Sequence, residues 1–172
     1  MKNWPDGGMF GIKKVGPGFL GYMEHWPSIG EERAVMSFNV DLRNGASRIP
    51  VGHRAILYVT GGEHPRDHPF RACSQKFVAE LEITGTLRDG DEMLRRLGLE
   101  PGCPLPGADA KWSLFRPVRY LARVFPPEGA DRWRQVCLAA EIHWEPIQRP
   151  LGHEYITERT YLRLRNAIRW TH

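Results

Sequence analysis

Cysteine is scarce in this 172-residue chain: Cys73, Cys103 and Cys137 are widely spaced and odd in number. No disulfide framework uses all three, and no Cys-x-x-Cys pair offers a zinc or redox site. Reduced thiols, one or two of them buried as small hydrophobes, are the expectation. Long hydrophobic runs are missing as well. The longest, "AILYV" at Ala55–Val59, falls far short of the roughly 20 apolar residues of a membrane-spanning helix. The opening stretch "MKNWPDGGMFGIKK" has no apolar core of the secretory type, so a cytosolic location is expected.

Signatures of catalysis are wanting too. There is no Gly-x-Ser-x-Gly turn, and Ser37, Ser47, Ser74 and Ser113 stand isolated. "GPGFLG" lacks the Lys-Ser/Thr of a nucleotide-triphosphate loop. Paired acids such as Glu31–Glu32 and Asp89/Asp91 sit in loop or helix-start contexts that capping and solubility explain. In "GEHPRDHPFRAC", Pro65 and Pro69 forbid the helix that would set His64 and His68 on one face, and a solvated loop reads better than a metal site. The sequence does not read as an enzyme.

What is present is a soluble, turn-rich chain. Hydrophobic content of 41% and charged content of 26% are globular, and the length suits one domain over residues 1–172. Glycine (18) and proline (14) are spread throughout, the punctuation of a β-rich fold. Strands are expected at Met9–Val15, Arg33–Val40 and His53–Thr60, with a helical turn or loop in "DLRNGASRIPVG". "KFVAELEITGTL", Lys76–Leu87, alternates as a half-buried strand does. "DGDEMLRRLGL" reads as a short inserted helix, and "EGADRWRQVCLAAEI" as another with Trp133, Val136 and Leu138 partly buried. Thr157 caps a closing amphipathic helix on which Tyr161, Leu164 and Ile168 recur at helical spacing. The expectation is an α+β fold, closing as a small barrel.

The net charge of +4 is mild, but its placement is not even. Lys111, Arg116, Arg119, Arg123, Arg132 and Arg134 face only Glu128 and Asp131 between residues 111 and 134. Such a patch suits a polyanion, or equally a solvated strand face paired with acids elsewhere. Trp112 opens this segment between Lys111 and Ser113. An aromatic face there could stack on a base, for about 1–3 kcal/mol, or could simply start a core strand. In a regular strand Arg119 and Arg123 share one face and Arg116 takes the other. Pro117 places the regular pairing after it or on a sheet edge.

Four stretches together resemble EVE domains of the PUA-like superfamily: "NVDLRNGASRIPVGHRAILYVTGG", "AELEITGTL", "KWSLFRPVRYLARVFPPE" and "WEPIQRPLGHEYITERTYLRLRNAI". Their order and spacing agree from about Asn39 to Ile168. The resemblance implies a PUA-like β-barrel with short peripheral helices and a C-terminal helix. It also implies a non-enzymatic module, without metal or cofactor, that binds DNA or RNA and receives a modified base, such as a modified cytosine, in an aromatic pocket. The pocket residues implied are Trp112, Ser113, Asn39, Asn44, Tyr58 and Thr60, with Arg43, Lys111, Arg116, Arg119 and Arg123 on the phosphates. Two departures stand out. The first strand reads "GIKKVGP" where many EVE domains end in Lys-Ser-Glu-Pro, and Ala34 occupies a position read as a family Trp.

Three other readings remain open. A general RNA-binding PUA-like domain would use the basic strand and shape alone. A small hydrolase on the related ASCH-type barrel would need Lys14 and Glu24 in its cavity. A protein-interaction module would use the aromatic-rich termini.

Overall fold

A computed structural model describes residues 8–15, 34–38, 43–61, 71–87, 114–146 and 152–171. Six strands lie within them: β1 (Phe10–Val15), β2 (Ala34–Phe38), β3 (Arg54–Val59), β4 (Lys76–Ile83), β5 (Leu114–Arg123) and β6 (His153–Tyr155). The helices are α1 (Arg43–Arg48), α2 (Trp133–Ala140) and α3 (Glu158–Ala167). The strands form one sheet in the order β2-β5-β4-β3-β1-β6. Only β1 and β3 run parallel, in register from Phe10↔Arg54 to Val15↔Val59. The fold is α+β. Among the described residues the ladder ends at β2 and β6, with no pairing that joins them into a closed barrel.

Most of the expected elements are there, with instructive shifts. β3 is buried on both faces after Arg54, as its continuous apolar run demands. β4 was expected to be half-buried, yet it too is covered on both sides. The reason is α3, which lies over the outer face. There Glu80, fully buried, accepts from the Tyr161 hydroxyl and from Arg165 Nε at 3.0 Å. A carboxylate can sit there because its charge and both its oxygens find donors. β4 also ends at Ile83, four residues early.

Pro117 stands inside β5, which is flanked by β2 and β4, and so not on an edge. A residue's N–H and C=O leave a strand on the same side, and the Pro117 carbonyl accepts from Thr84 N at 2.9 Å. Its donorless nitrogen therefore faces the β4 side just where that strand has ended. No ladder bond is lost.

In α2, Val136, Cys137 and Ala140 are buried, while Leu138 is 82% exposed. That reverses the expectation for Leu138, which sits on the helix side opposite the buried trio. Cys73 is buried as well, and like Cys137 it is a free thiol. α3 follows its sequence pattern: Thr157 Oγ1 accepts from Thr160 N at 3.2 Å, and Tyr161, Leu164 and Ile168 are buried. Among the described residues, no helix is long and apolar enough to cross a membrane. The inserted helix expected at "DGDEMLRRLGL" and the His64/His68 loop lie outside the described residues.

Candidate nucleic-acid interface

The two strand faces set the stage. Paired residues share a face, so Phe10, Ile56, Glu80 and Arg119 look toward α3, whereas Lys13, Leu57, Leu81 and Tyr120 look the other way, toward α1. Arg116 belongs to the α1 face. It was expected on phosphates, but it is only 2% exposed, and its guanidinium is taken up inside. One terminal nitrogen donates to the Ala46 and Ile49 carbonyls at 2.8 and 2.7 Å, and Nε donates to Gly85 O at 2.7 Å. The last carbonyls of a helix have no intrahelical donors. Arg116 thus caps the C-terminal end of α1 from another strand, and cannot also meet a ligand at the surface.

This side chain ties three segments together: the helix "RNGASR", the turn after β4 and the basic strand β5. A second link joins β2 and β5, whose pairing runs out to Phe38↔Leu114. The covalent neighbours of that pair are Asn39 and Ser113. Asn39, Lys111, Trp112 and Ser113 themselves lie outside the described residues, as do the side chains of Arg43 and Asn44, the first two residues of α1.

Tyr58 was expected in the pocket and is instead core. It is 1% exposed, with its ring 5.4 Å from Phe77 and 5.2 Å from Trp144, which in turn meets Trp133 at 5.9 Å. Burial, with a smaller part from Cys137, pushes its hydroxyl up to about 12. A residue in an uninterrupted apolar strand has both faces covered, and its aromatic ring serves packing. Thr60, half-buried just past β3, holds its N–H on Val15 O at 2.8 Å.

The remaining arginines part company. β5 carries a bulge opposite Glu80/Leu81: Leu81 pairs with Tyr120 but Glu80 with Ala122 and Ala79 with Arg123. The extra residue flips the alternation, so Arg119 and Arg123 fall on opposite faces rather than on one. Arg119 reaches Glu82 at 2.9 Å, and the same carboxylate takes Arg54 Nε at 3.3 Å. Arg123 lies 5.0 Å from the centroid of the exposed Phe125 ring.

One polar cluster went unread in the sequence. On the α1 face, His53 and His153 are both 0% exposed, with ring centroids 4.8 Å apart, and Tyr155 sets its ring edgewise to each. His53 Nδ1 meets Gly8 O at 2.7 Å, while His53 Nε2 and both nitrogens of His153 have no hydrogen-bond partner among the described residues. Buried Lys13 pairs in register with His153. Burial pulls Lys13 down to about 7, and pulls His53 to about 4 against the help of the Gly8 carbonyl, with Arg116 lowering it further. His153 is held well below the usual range by burial and then by the charges of His53, Lys13 and Lys14. A signal existed: the chain has two Gly-His pairs opening strands, and both glycines, Gly52 and Gly152, adopt left-handed φ of 88° and 61°.

Among the described residues, no group of three or more His, Cys, Asp or Glu is placed to hold a metal ion. No protein-family model and no curated protein matches the sequence. Among solved structures, the chain is similar to a hypothetical protein from Leishmania major, with 15% identity, 92% and 94% of the two chains covered and a TM-score of 0.49. It is likewise similar to a protein from Pseudomonas syringae (9%, 91% and 97%, 0.46) and to one from Agrobacterium tumefaciens (14%, 92% and 92%, 0.41). All three TM-scores are below 0.5.

Proposed function

We propose that this chain is an EVE-like module of PUA-like type, its sheet curling toward a barrel, that binds nucleic acid and receives one modified base without acting on it chemically. What supports the reading is Arg116. A buried guanidinium that clamps the "RNGASR" helix to the strand following Lys-Trp-Ser holds two of the resemblance's distant segments in one fixed relation. A pocket for a flipped base needs that rigidity, since unstacking costs a few kcal/mol and the contacts must offset it.

In this reading Trp112 stacks on the base, and Ser113, Asn39, Asn44 and Thr60 address its polar edge. Lys111, Arg43 and one of Arg119 or Arg123 approach the backbone, because the bulge divides those two arginines between faces. Tyr58 and Arg116 leave the ligand set and join its support.

The test is titration with matched oligonucleotides carrying cytosine, 5-methylcytosine or 5-hydroxymethylcytosine. Tighter binding of one modified strand is expected, and Trp112→Ala should weaken it by about 1–3 kcal/mol with the fold intact. Equal affinity for all three strands overturns the modified-cytosine reader and leaves general RNA binding. If Trp112→Ala fails to fold, Trp112 is core and the pocket assignment falls.

A further inference from the structure

Buried polar atoms are nearly always hydrogen-bonded, so three ring nitrogens in one histidine pair that find no partner among the described residues call for an explanation. The pair sits where the sheet is thinnest. β6 is three residues long and, among the described residues, pairs with β1 alone, from Gly11↔Tyr155 to Lys13↔His153. Backbone bonds from Lys14 N to Gly152 O at 2.6 Å and from Ile156 N to Phe10 O at 3.0 Å close its ends. The histidines add a side-chain fastening: His153 lies directly on Gly11, and His53 grips Gly8 O just before β1.

The groups around the pair are cationic. From β5, Arg116 bears on His53; from β1, Lys13 and Lys14 bear on His153; from β6, Tyr155 adds a neutral ring. The nearest acid along β6, Glu154, is turned to the other face, where it meets Lys14 Nζ at 3.6 Å and Trp144 Nε1 at 3.3 Å. α1 brings the carbonyls of Ala46 and Ile49, both held by Arg116. Among the described residues, no carboxylate faces the two rings.

We propose that His53 and His153 form an acid-released latch, which holds β6 on β1 while both imidazoles are neutral and lets it go when they take up protons. Neutral rings pack, tilted, against each other and against Tyr155. Protonated rings would set two more cations beside Arg116 and Lys13, out of reach of water. The released state, open to water, takes the proton more readily than the closed one. The latch is therefore complete above the ordinary histidine value of 6.5 and is lost progressively as the pH falls toward about 4.

Amide hydrogen exchange of the full chain at pH 7.5 and 5.0, corrected for intrinsic rates, tests this. Protection of the β1–β6 amides should fall about 30-fold from His53 alone, while the β3–β4 ladder loses much less. His53→Gln with His153→Gln should cut that selective fall to the few-fold part that buried Lys13, itself pulled down to about 7, contributes over the same range, since amides do not titrate. Equal protection of β6 at both pH values overturns the latch, and so does an undiminished fall in the double variant. Should the double variant not fold, imidazole resonances of the wild-type protein decide: neither ring should titrate above about pH 5.5. A ring that titrates near 6.5, or one that shifts on adding stoichiometric Zn²⁺ at pH 7.5, overturns the proposal.

Discussion

Arg116 and the His53–His153 pair lie on the same face of the sheet, both out of water, and their polar atoms are treated in opposite ways. The guanidinium has three carbonyl acceptors from two separate segments. Among the described residues the imidazoles have one, Gly8 O, and three ring nitrogens without any. The difference follows from charge. An arginine stays ionised, so it can be buried only where the protein supplies its hydrogen bonds. A histidine can lose its proton and tolerate a poorer site, at the cost of depending on pH. Arg116 is thus a permanent joint and the histidine pair a conditional one. Glu80 on the opposite face repeats the permanent pattern, with Tyr161 and Arg165 as donors.

Removing the permanent joint should have the largest effect. Arg116→Met strips the donors from three carbonyls, each of which costs about 1–3 kcal/mol when left unpaired, and is expected to lower stability in urea unfolding by about 3 kcal/mol or more. A loss below about 1 kcal/mol would mean that those carbonyls find other donors, and the contrast with the histidines would collapse. A smaller effect is expected at the conditional joint. In Gly11→Ala the new methyl would stand 2.6 Å from the His153 ring and 2.8 Å from the Glu154 carbonyl. Overpacking of that kind costs about 1–3 kcal/mol. The damage should concentrate in β6 amide protection, and uniform loss through the sheet would deny β6 its independence.

The smallest effect sharpens the comparison from outside. Arg119 is ion-paired to Glu82 but about a third exposed. Arg119→Ala should change stability by about 0–1 kcal/mol. In the nucleic-acid reading either this variant or Arg123→Ala, but not both, should also reduce the slope of log affinity against log salt by about one, because the two arginines lie on opposite faces. A large stability loss with an unchanged slope would place Arg119 with Arg116 as a structural residue.

Features carried by local pattern were legible. The Thr157 cap and the Tyr161–Leu164–Ile168 stripe needed only helical geometry, and β3 needed only its composition. Features set by a partner distant in sequence were not. Leu138 looked buried until the orientation of α2 exposed it. Arg119 and Arg123 looked co-facial until the bulge at Leu81/Tyr120 separated them, because no residue in β5 signals where its partner strand will slip. Of the candidate site, Tyr58 was misread because an aromatic in a doubly covered strand and one in a pocket wall have the same local sequence. Arg116 was misread because charge in a sequence suggests a surface, while its acceptors come from residues 67 and 70 positions away. The Gly-His pairs were overlooked, though the pattern was there to find.

By itself, then, the sequence determined the elements, the α+β class and the basic segment led by Trp112, all of which rest on composition and spacing over a few residues. Only the tertiary structure decided which charged side chains are buried and which are exposed. It also decided that two Gly-His pairs a hundred residues apart meet as one. Burial and hydrogen-bond supply are properties of the neighbours that folding brings, and no local stretch of chain contains them.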